Sequence, residues 1–314
     1  MRLRTFIPLL AAVVTAACTT RDLEPADSAA TRQAGDERAA AQPASWSPPA
    51  LSELRDDSLG ASVRRGLALL MDTRDSLPRY ARSNLNCTSC HLDGGRRANA
   101  ASLAGVHGRY PRYMARTGAV VTLADRVNYC FTRSLAGTRL PSDSREMQDI
   151  LAYFWFLSRG APVGSATPGE GMPPMHPLAA DSARGRATYA AKCSICHGAR
   201  GEGIARAPAL WGARSYSIGA SMARVERAAS FIKHNMPLSA PGSLTDQEAW
   251  DLAAFVNAQP RPDSPGKHDD YPAGDAPADV PYDTKGHRGY DPPPLLARAQ
   301  PAASVVPAPP RAPR

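Results

Sequence analysis

The chain has 314 residues, a formal net charge of +8 and six cysteines. That length suits two domains rather than one, and the basic balance favours anionic partners. No lysine-rich run and no basic stripe interleaved with aromatics occurs, which argues against nucleic acid. Part of the positive excess sits in the first residues and in the closing "PPRAPR".

In chain order, Arg2 and Arg4 precede the apolar run "TFIPLLAAVVTAA", and Cys18 follows Ala16 and Ala17. The run is too short for a bilayer-spanning helix and reads as an export signal over residues 1–17. A cysteine directly after two alanines has the form of a lipoprotein cleavage site, with Cys18 as the lipid anchor and membrane tether. Thr15 departs from the aliphatic residue usual there, and the alternative is an ordinary secretory signal cut nearby. Both readings place the mature protein outside the cytoplasm, in the periplasm. Residues 18–50 are mostly Ala, Pro, Ser and charge, the composition of a flexible tether.

From Leu51 the pattern turns helical. "SVRRGLALLMDTR" puts Val63, Leu67 and Leu70 on one face. "DSREMQDILAYFWFLSRG" predicts the most apolar helix, capped by Asp143 or Ser144 and closed at Gly160. The Gly/Pro-rich stretch 164–177 reads as a linker. The plan then repeats. "SARGRATYAAK" predicts a helix, and "SLTDQEAWDLAAFVNAQ" predicts a last one with Thr245 and Glu248 spaced as a capping box. Strand patterns are weak throughout. The expected fold is all-α: two tandem small helical domains at 51–163 and 178–260, an extended tail over 261–294 wrapping across both, and a disordered end over 295–314.

Each domain carries one C-x-x-C-H motif: "CTSCH" (Cys87, Cys90, His91) and "CSICH" (Cys193, Cys196, His197). Two thiols three residues apart on a helical turn reach the two vinyl groups of one porphyrin, and the next imidazole lies under the iron. A redox dithiol needs no following histidine. A pooled zinc site would require two pairs about a hundred residues apart to converge, leaving both histidines unexplained. The motifs therefore predict two covalently bound haem c groups in two cytochrome c-like domains. An aromatic content of 6% fits, because the porphyrin supplies flat apolar bulk.

The second iron needs a distal ligand, and "FIKHNMPLS" offers Met236 before Pro237, with Lys233 and His234 as neighbouring alternatives. A thioether raises the potential and suits an electron-transfer iron. The first domain has no Met-Pro. Met114, Met147 and His107 are candidates, but Cys130 in "DRVNYCFTRSLAG" occupies the slot between the irregular segment and the last helix. A thiolate there would lower the iron potential, and Arg126 and Arg133 on either side would favour the deprotonated sulfur. The plain alternative is a buried free thiol, which is unusual in an exported protein.

"RYPRYMARTGAVVTLADRVNYCFTRSLAG" followed by "MQDILAYFWFLSRG" resembles the dihaem thiosulfate dehydrogenase family, over a stretch from about Leu51 to about Pro294. The resemblance implies an oxidoreductase converting two thiosulfates to tetrathionate, reversible in principle, with electrons passing from haem 1 to haem 2. The acceptor would be a soluble or membrane cytochrome c or another periplasmic carrier. It implies His91 and Cys130 as ligands of haem 1, and His197 and Met236 as ligands of haem 2. Arg116 and Ser134 stand where the family places substrate-binding residues beside Cys130, with Arg109 in the same segment as a weaker candidate. Two positions depart from the family pattern: Ala136 replaces an Asn, and Asn235 stands where some members carry a Lys beside the Met. Two other functions compete. One is a sulfur-oxidation cytochrome acting on a carrier protein. The other is a non-catalytic dihaem shuttle, which would leave the arginines around Cys130 idle.

Overall fold

The computed structural model describes residues 46–204 and 207–289. The signal over 1–17, the Cys18 anchor, the tether up to residue 45 and the chain from residue 290 lie outside the described residues. Among the described residues no helix is long and apolar enough to cross a membrane.

Six helices carry the architecture. In the first half these are α1 (Ser58–Met71), α2 (Leu123–Tyr129) and α3 (Arg145–Phe156). In the second they are α4 (Ser182–Lys192), α5 (Val225–Asn235) and α6 (Asp246–Asn257). Their starts are chemically marked. Asp57 caps α1 by accepting from Gly60 N at 2.8 Å, and Ser144 Oγ caps α3 by accepting from Met147 N. Thr122 with Asp125 and Thr245 with Glu248 form capping boxes on α2 and α6. Each such cap satisfies amide donors that a helix start leaves orphaned.

The same joint is built twice. α1 packs on α3, and α4 packs on α6, each through an Arg-Gly pair. A Cβ added at Gly66 would lie 2.0 Å from the Asp149 carbonyl oxygen, and one at Gly185 2.0 Å from that of Asp251. Only glycine permits so close a backbone approach. Beside it, Arg65 grips Asp149 with Nε at 2.7 Å and NH2 at 2.8 Å. Arg184 grips Asp251 with Nε at 2.7 Å and NH2 at 3.0 Å. An aromatic hydroxyl completes each joint: Tyr153 donates to Gly94 O and Tyr189 to Gly198 O, both at 2.7 Å.

The cores differ in bulk. The first is filled by Leu70, Phe131, Leu140, Met147, Ile150, Tyr153 and Phe156, all below 3% exposure. The second rests on Tyr189, Leu252 and Phe255, with Ala228, Ala229 and Ala253 where α5 meets α6. Tyr216, Ala220 and Ala223 of the second half join the first half's cluster, so apolar packing continues across the boundary.

Not all of the structure is helical. A short antiparallel hairpin, β1 (Arg112–Met114) with β2 (Ala119–Val121), precedes α2. The chain after α6 crosses both halves as a strap. Ile218 N donates to Pro262 O at 2.9 Å and Tyr271 N to Arg116 O at 2.8 Å, while Asp279 pairs with Arg224 at 2.7 Å. Its anchor is a small cluster of Tyr271, Val280 and Tyr282 against Ile218 and Ala276.

Candidate functional site

Both C-x-x-C-H motifs sit on short turns after the first helix of their half, the second directly after α4 and the first after an intervening stretch over 72–86. Cys87–Ser89 and Leu92–Gly95 form the first pair of turns, and Ser194–His197 forms the second. The Cys87, Cys90, Cys193 and Cys196 thiols are all free of disulfides. Burial pushes the Cys87 and Cys90 thiols up to about 12 and Cys193 up to about 11. A raised thiol pKa runs against the lowered one that a redox dithiol uses. Among the described residues no three His, Cys, Asp or Glu side chains gather into a group that could hold a metal ion.

The donor chemistry fits a c-type haem in each half. His91 Nδ1 lies 2.5 Å from Ala101 O, and His197 Nδ1 lies 2.9 Å from Pro208 O. A carbonyl that holds Nδ1–H fixes the tautomer and leaves Nε2 as the nitrogen for iron. Burial lowers the His197 pKa, which keeps that ring neutral as ligation requires.

On the distal side the halves diverge. Cys130 follows α2 and opens a π-helical turn, Cys130–Ser134, in which Leu135 N reaches back to Cys130 O at 2.9 Å. Such π turns widen a helix and recur at functional sites. Arg126, one turn earlier, places NH1 3.0 Å from the Cys130 sulfur. Burial alone would push that thiol up. The Arg126 charge and the neighbouring His91 imidazole override it and bring Cys130 down to about 6. So His91 and Cys130 are brought together, with Arg126 behind the sulfur.

Arg109 belongs to the same electrostatic neighbourhood. It pairs with Glu170, its Nε is buried without a partner, and burial aided by Arg112 and Arg126 lowers it to about 10. Ser134 ends the π turn, half-buried. Two other arginines are placed differently from their sequence neighbourhood. Arg133 does not flank the sulfur: it stacks on Tyr129 with its guanidinium carbon 4.6 Å from the ring centroid and pairs with Asp270. Arg116 spends Nε on Asp270 and NH2 on Gly219 O and Tyr282. Of the other ligand candidates in this half, Met147 is fully buried inside α3, Met114 lies in β1 and His107 is exposed.

In the second half Met236 directly follows α5, with its amide bonded to Ile232 O at 2.9 Å. Its neighbours are engaged elsewhere. Lys233 donates to Leu244 O at 2.6 Å and pairs with Asp246, and His234 Nδ1 lies 2.8 Å from Ser230 O. Asn235, 1% exposed, donates to Asn99 O of the first half at 3.0 Å. That bond ties the Met236 segment to the loop that orients His91.

Comparison with known proteins agrees with this duplication. Residues 79–163 match the family model described as SoxA/TsdA, cytochrome c domain, and residues 180–256 match cytochrome C oxidase, cbb3-type, subunit III. A thiosulfate dehydrogenase of Allochromatium vinosum is 46% identical over 225 residues, covering 68% of this chain and 83% of the relative. One from Psychrobacter arcticus is 43% identical over 239 residues, covering 74% and 73%. The chain belongs to the thiosulfate dehydrogenase family. The solved thiosulfate dehydrogenase (TsdBA) from Marichromatium purpuratum, as isolated, superposes with a TM-score of 0.67 at 37% identity. It is matched over 73% of this chain, which spans about half the length of that protein (51%). As a member of this family the chain is an oxidoreductase with two cytochrome c domains and two covalently bound c-type haems.

Sequence reading missed α2 and the long-range partners of the strap's Asp270. A signal for α2 existed in "TLAD", whose Thr122 and Asp125 have capping-box spacing. Asp270 opens the "DYP" of the tail that the family resemblance covers, but its arginine partners lie 137 and 154 residues away.

Proposed function

We propose that this protein oxidises two thiosulfates to one tetrathionate, releasing two electrons, in the periplasm. The observation that carries the reading is Cys130: a sulfur beside the His91 imidazole with Arg126 NH1 at 3.0 Å, in a chain of this family. His91 and Cys130 serve haem 1, and His197 and Met236 serve haem 2. When bound, the two haems supply two one-electron acceptors, matching the two electrons released.

The residues meet an electrostatic problem. Two dianions about 5 Å apart repel by on the order of 10 kcal/mol at an effective protein dielectric of 20. Arg126 and Arg109 offset that charge, their planar guanidiniums matching sulfonate oxygens as they match phosphate. Ser134, at the end of the same turn, supplies a hydroxyl donor to a bound oxyanion. Cys130 is the nucleophile. Its thiolate joins the outer sulfur of one thiosulfate, giving Cys–S–S–SO₃⁻ and releasing two electrons. The second thiosulfate then attacks that outer sulfur, so tetrathionate leaves and the Cys130 thiolate is regenerated. The electrons leave through the second half to an external cytochrome or another periplasmic acceptor.

The test is stoichiometric. Purified haem-loaded protein, given thiosulfate and an artificial one-electron acceptor, should form one tetrathionate per two thiosulfates and two acceptor equivalents. Reduction of the acceptor by other donors without thiosulfate turnover would leave a dihaem electron shuttle instead.

A further inference from the structure

The stretch over 164–177 joins the halves, and it also runs beside the loop that orients His91. Asn99 N donates to Gly169 O and Ala101 N to Gly171 O, both at 2.9 Å, and Ser102 forms bridges to Glu170 and Gly171. Ala101 is the residue whose carbonyl oxygen lies 2.5 Å from His91 Nδ1. The approach is close: a Cβ added at Gly169 would stand 2.4 Å from the Ala98 Cβ, so only glycine fits there.

Asn99 and Ala101 both hold left-handed backbone, at φ 61 and φ 49. Residues other than glycine keep that conformation where their surroundings over-determine it. The two amide bonds to the linker do so from one side. From another, the Asn235 side chain donates to Asn99 O at 3.0 Å. The linker is locked in turn by Thr167, which is fully buried. Its Oγ1 donates to Ala104 O at 3.0 Å, and its methyl covers Gly105. Glu170 closes the turn by accepting from Thr167 N at 3.2 Å. The second half meets the same need locally. There Pro208 O faces His197 Nδ1, and Ile204 N donates to Ala207 O at 2.9 Å just before it.

A carbonyl that grips Nδ1–H makes the imidazole a stronger donor, which favours the ferric state of a bound haem and lowers its potential. We propose that the linker is the clamp on the His91 side of haem 1, with Thr167 as its positioning residue. Thr167 holds the linker against the first half, the linker fixes Ala101, and Ala101 fixes His91. The inference rests on His91 as the haem 1 ligand, as in the reading above. The segment between the domains thereby sets the driving force for electrons leaving haem 1, and haem 2 is outside its reach.

The experiment compares native protein with Thr167→Val, Thr167→Ala, Thr167→Ser and Ser230→Ala, all haem-loaded. A spectroelectrochemical titration reads the potential of each haem, and paramagnetic resonance reads the ferric haem 1 signal. Thr167→Val keeps the buried volume and removes the hydroxyl. It should shift the haem 1 equilibrium about tenfold toward the reduced form, which is about 59 mV for one electron. The haem 1 resonance should move with it while haem 2 stays in place. Thr167→Ala should shift haem 1 in the same direction, and Thr167→Ser, which retains the hydroxyl, should stay near native. Ser230→Ala is the control. It removes the hydroxyl bond to Pro173 O at the other end of the linker, and should lower the unfolding temperature with both potentials unchanged. An unmoved haem 1 potential in Thr167→Val and Thr167→Ala, or an equal shift in Ser230→Ala, would reduce the linker to a structural tie. A Thr167-dependent potential in a protein that forms no tetrathionate would keep the clamp and remove the reaction. Tetrathionate formation with potentials indifferent to Thr167 would do the reverse.

Discussion

The first half places Cys130 beside His91 and the second places Met236 after α5, yet the helix joint beneath them is one design. In both, an Arg-Gly pair meets an aspartate on the closing helix, and a Cβ at the glycine would stand 2.0 Å from that aspartate's carbonyl oxygen. The difference is confined to the segment between the haem motif and the closing helix. In the first half that segment forms a hairpin, α2 and a π turn, and it sets Arg126 against the Cys130 sulfur while Arg133 turns away to Tyr129 and Asp270. In the second it forms α5, whose Lys233 is drawn away to Leu244 O and Asp246, leaving a neutral thioether. On the proposed reading the shared scaffold serves a haem in each half, and the distal segment separates chemistry from conduction.

The shared joint gives the largest expected effect. Gly66→Ala and Gly185→Ala should each cost at least about 3 kcal/mol, because the new methyl meets backbone that cannot yield. Chemical unfolding of the haem-loaded variants measures this, and tolerance at one glycine only would break the equivalence of the halves. Next, Met236→Gly should abolish the thioether-to-iron band at the red end of the visible spectrum. It should cut kcat by about tenfold and leave the thiosulfate KM within about twofold. A shift in KM instead would mean that the halves do not divide substrate handling from conduction. The smallest effect is at Ala136, which stands at φ 50 in the turn after Cys130, where the family pattern has Asn. Asn tolerates the left-handed region better than Ala. Ala136→Asn should therefore stabilise by about 0.5–1 kcal/mol, read as a rise in the denaturant midpoint without change in KM.

Much of this was legible from residues alone. The repeated haem motif, the helices at 58–71, 145–156, 182–192 and 246–257, and the Thr245–Glu248 box all carry strong local signals. The hairpin was not, because three-residue strands are too short to display alternation. α5 was hidden by its polar composition, with Glu226, Arg227, Lys233 and His234 on a short helix. The direction of Arg133 was illegible for a different reason. Three residues from Cys130 it is adjacent in sequence, but its partner Asp270 arrives from the far end of the chain. Arg126, four residues before Cys130, reaches the sulfur because i and i+4 share a helix face. Non-local electrostatics decided between two arginines that looked equivalent.

The most direct test of the division between the halves is tetrathionate formation by native protein and by Cys130→Gly, side by side, with both haems loaded. The account predicts tetrathionate from the native protein and a loss of on the order of a thousandfold or more in the variant, with the Met236 band of haem 2 intact. Comparable turnover in both, or none in either, would contradict it.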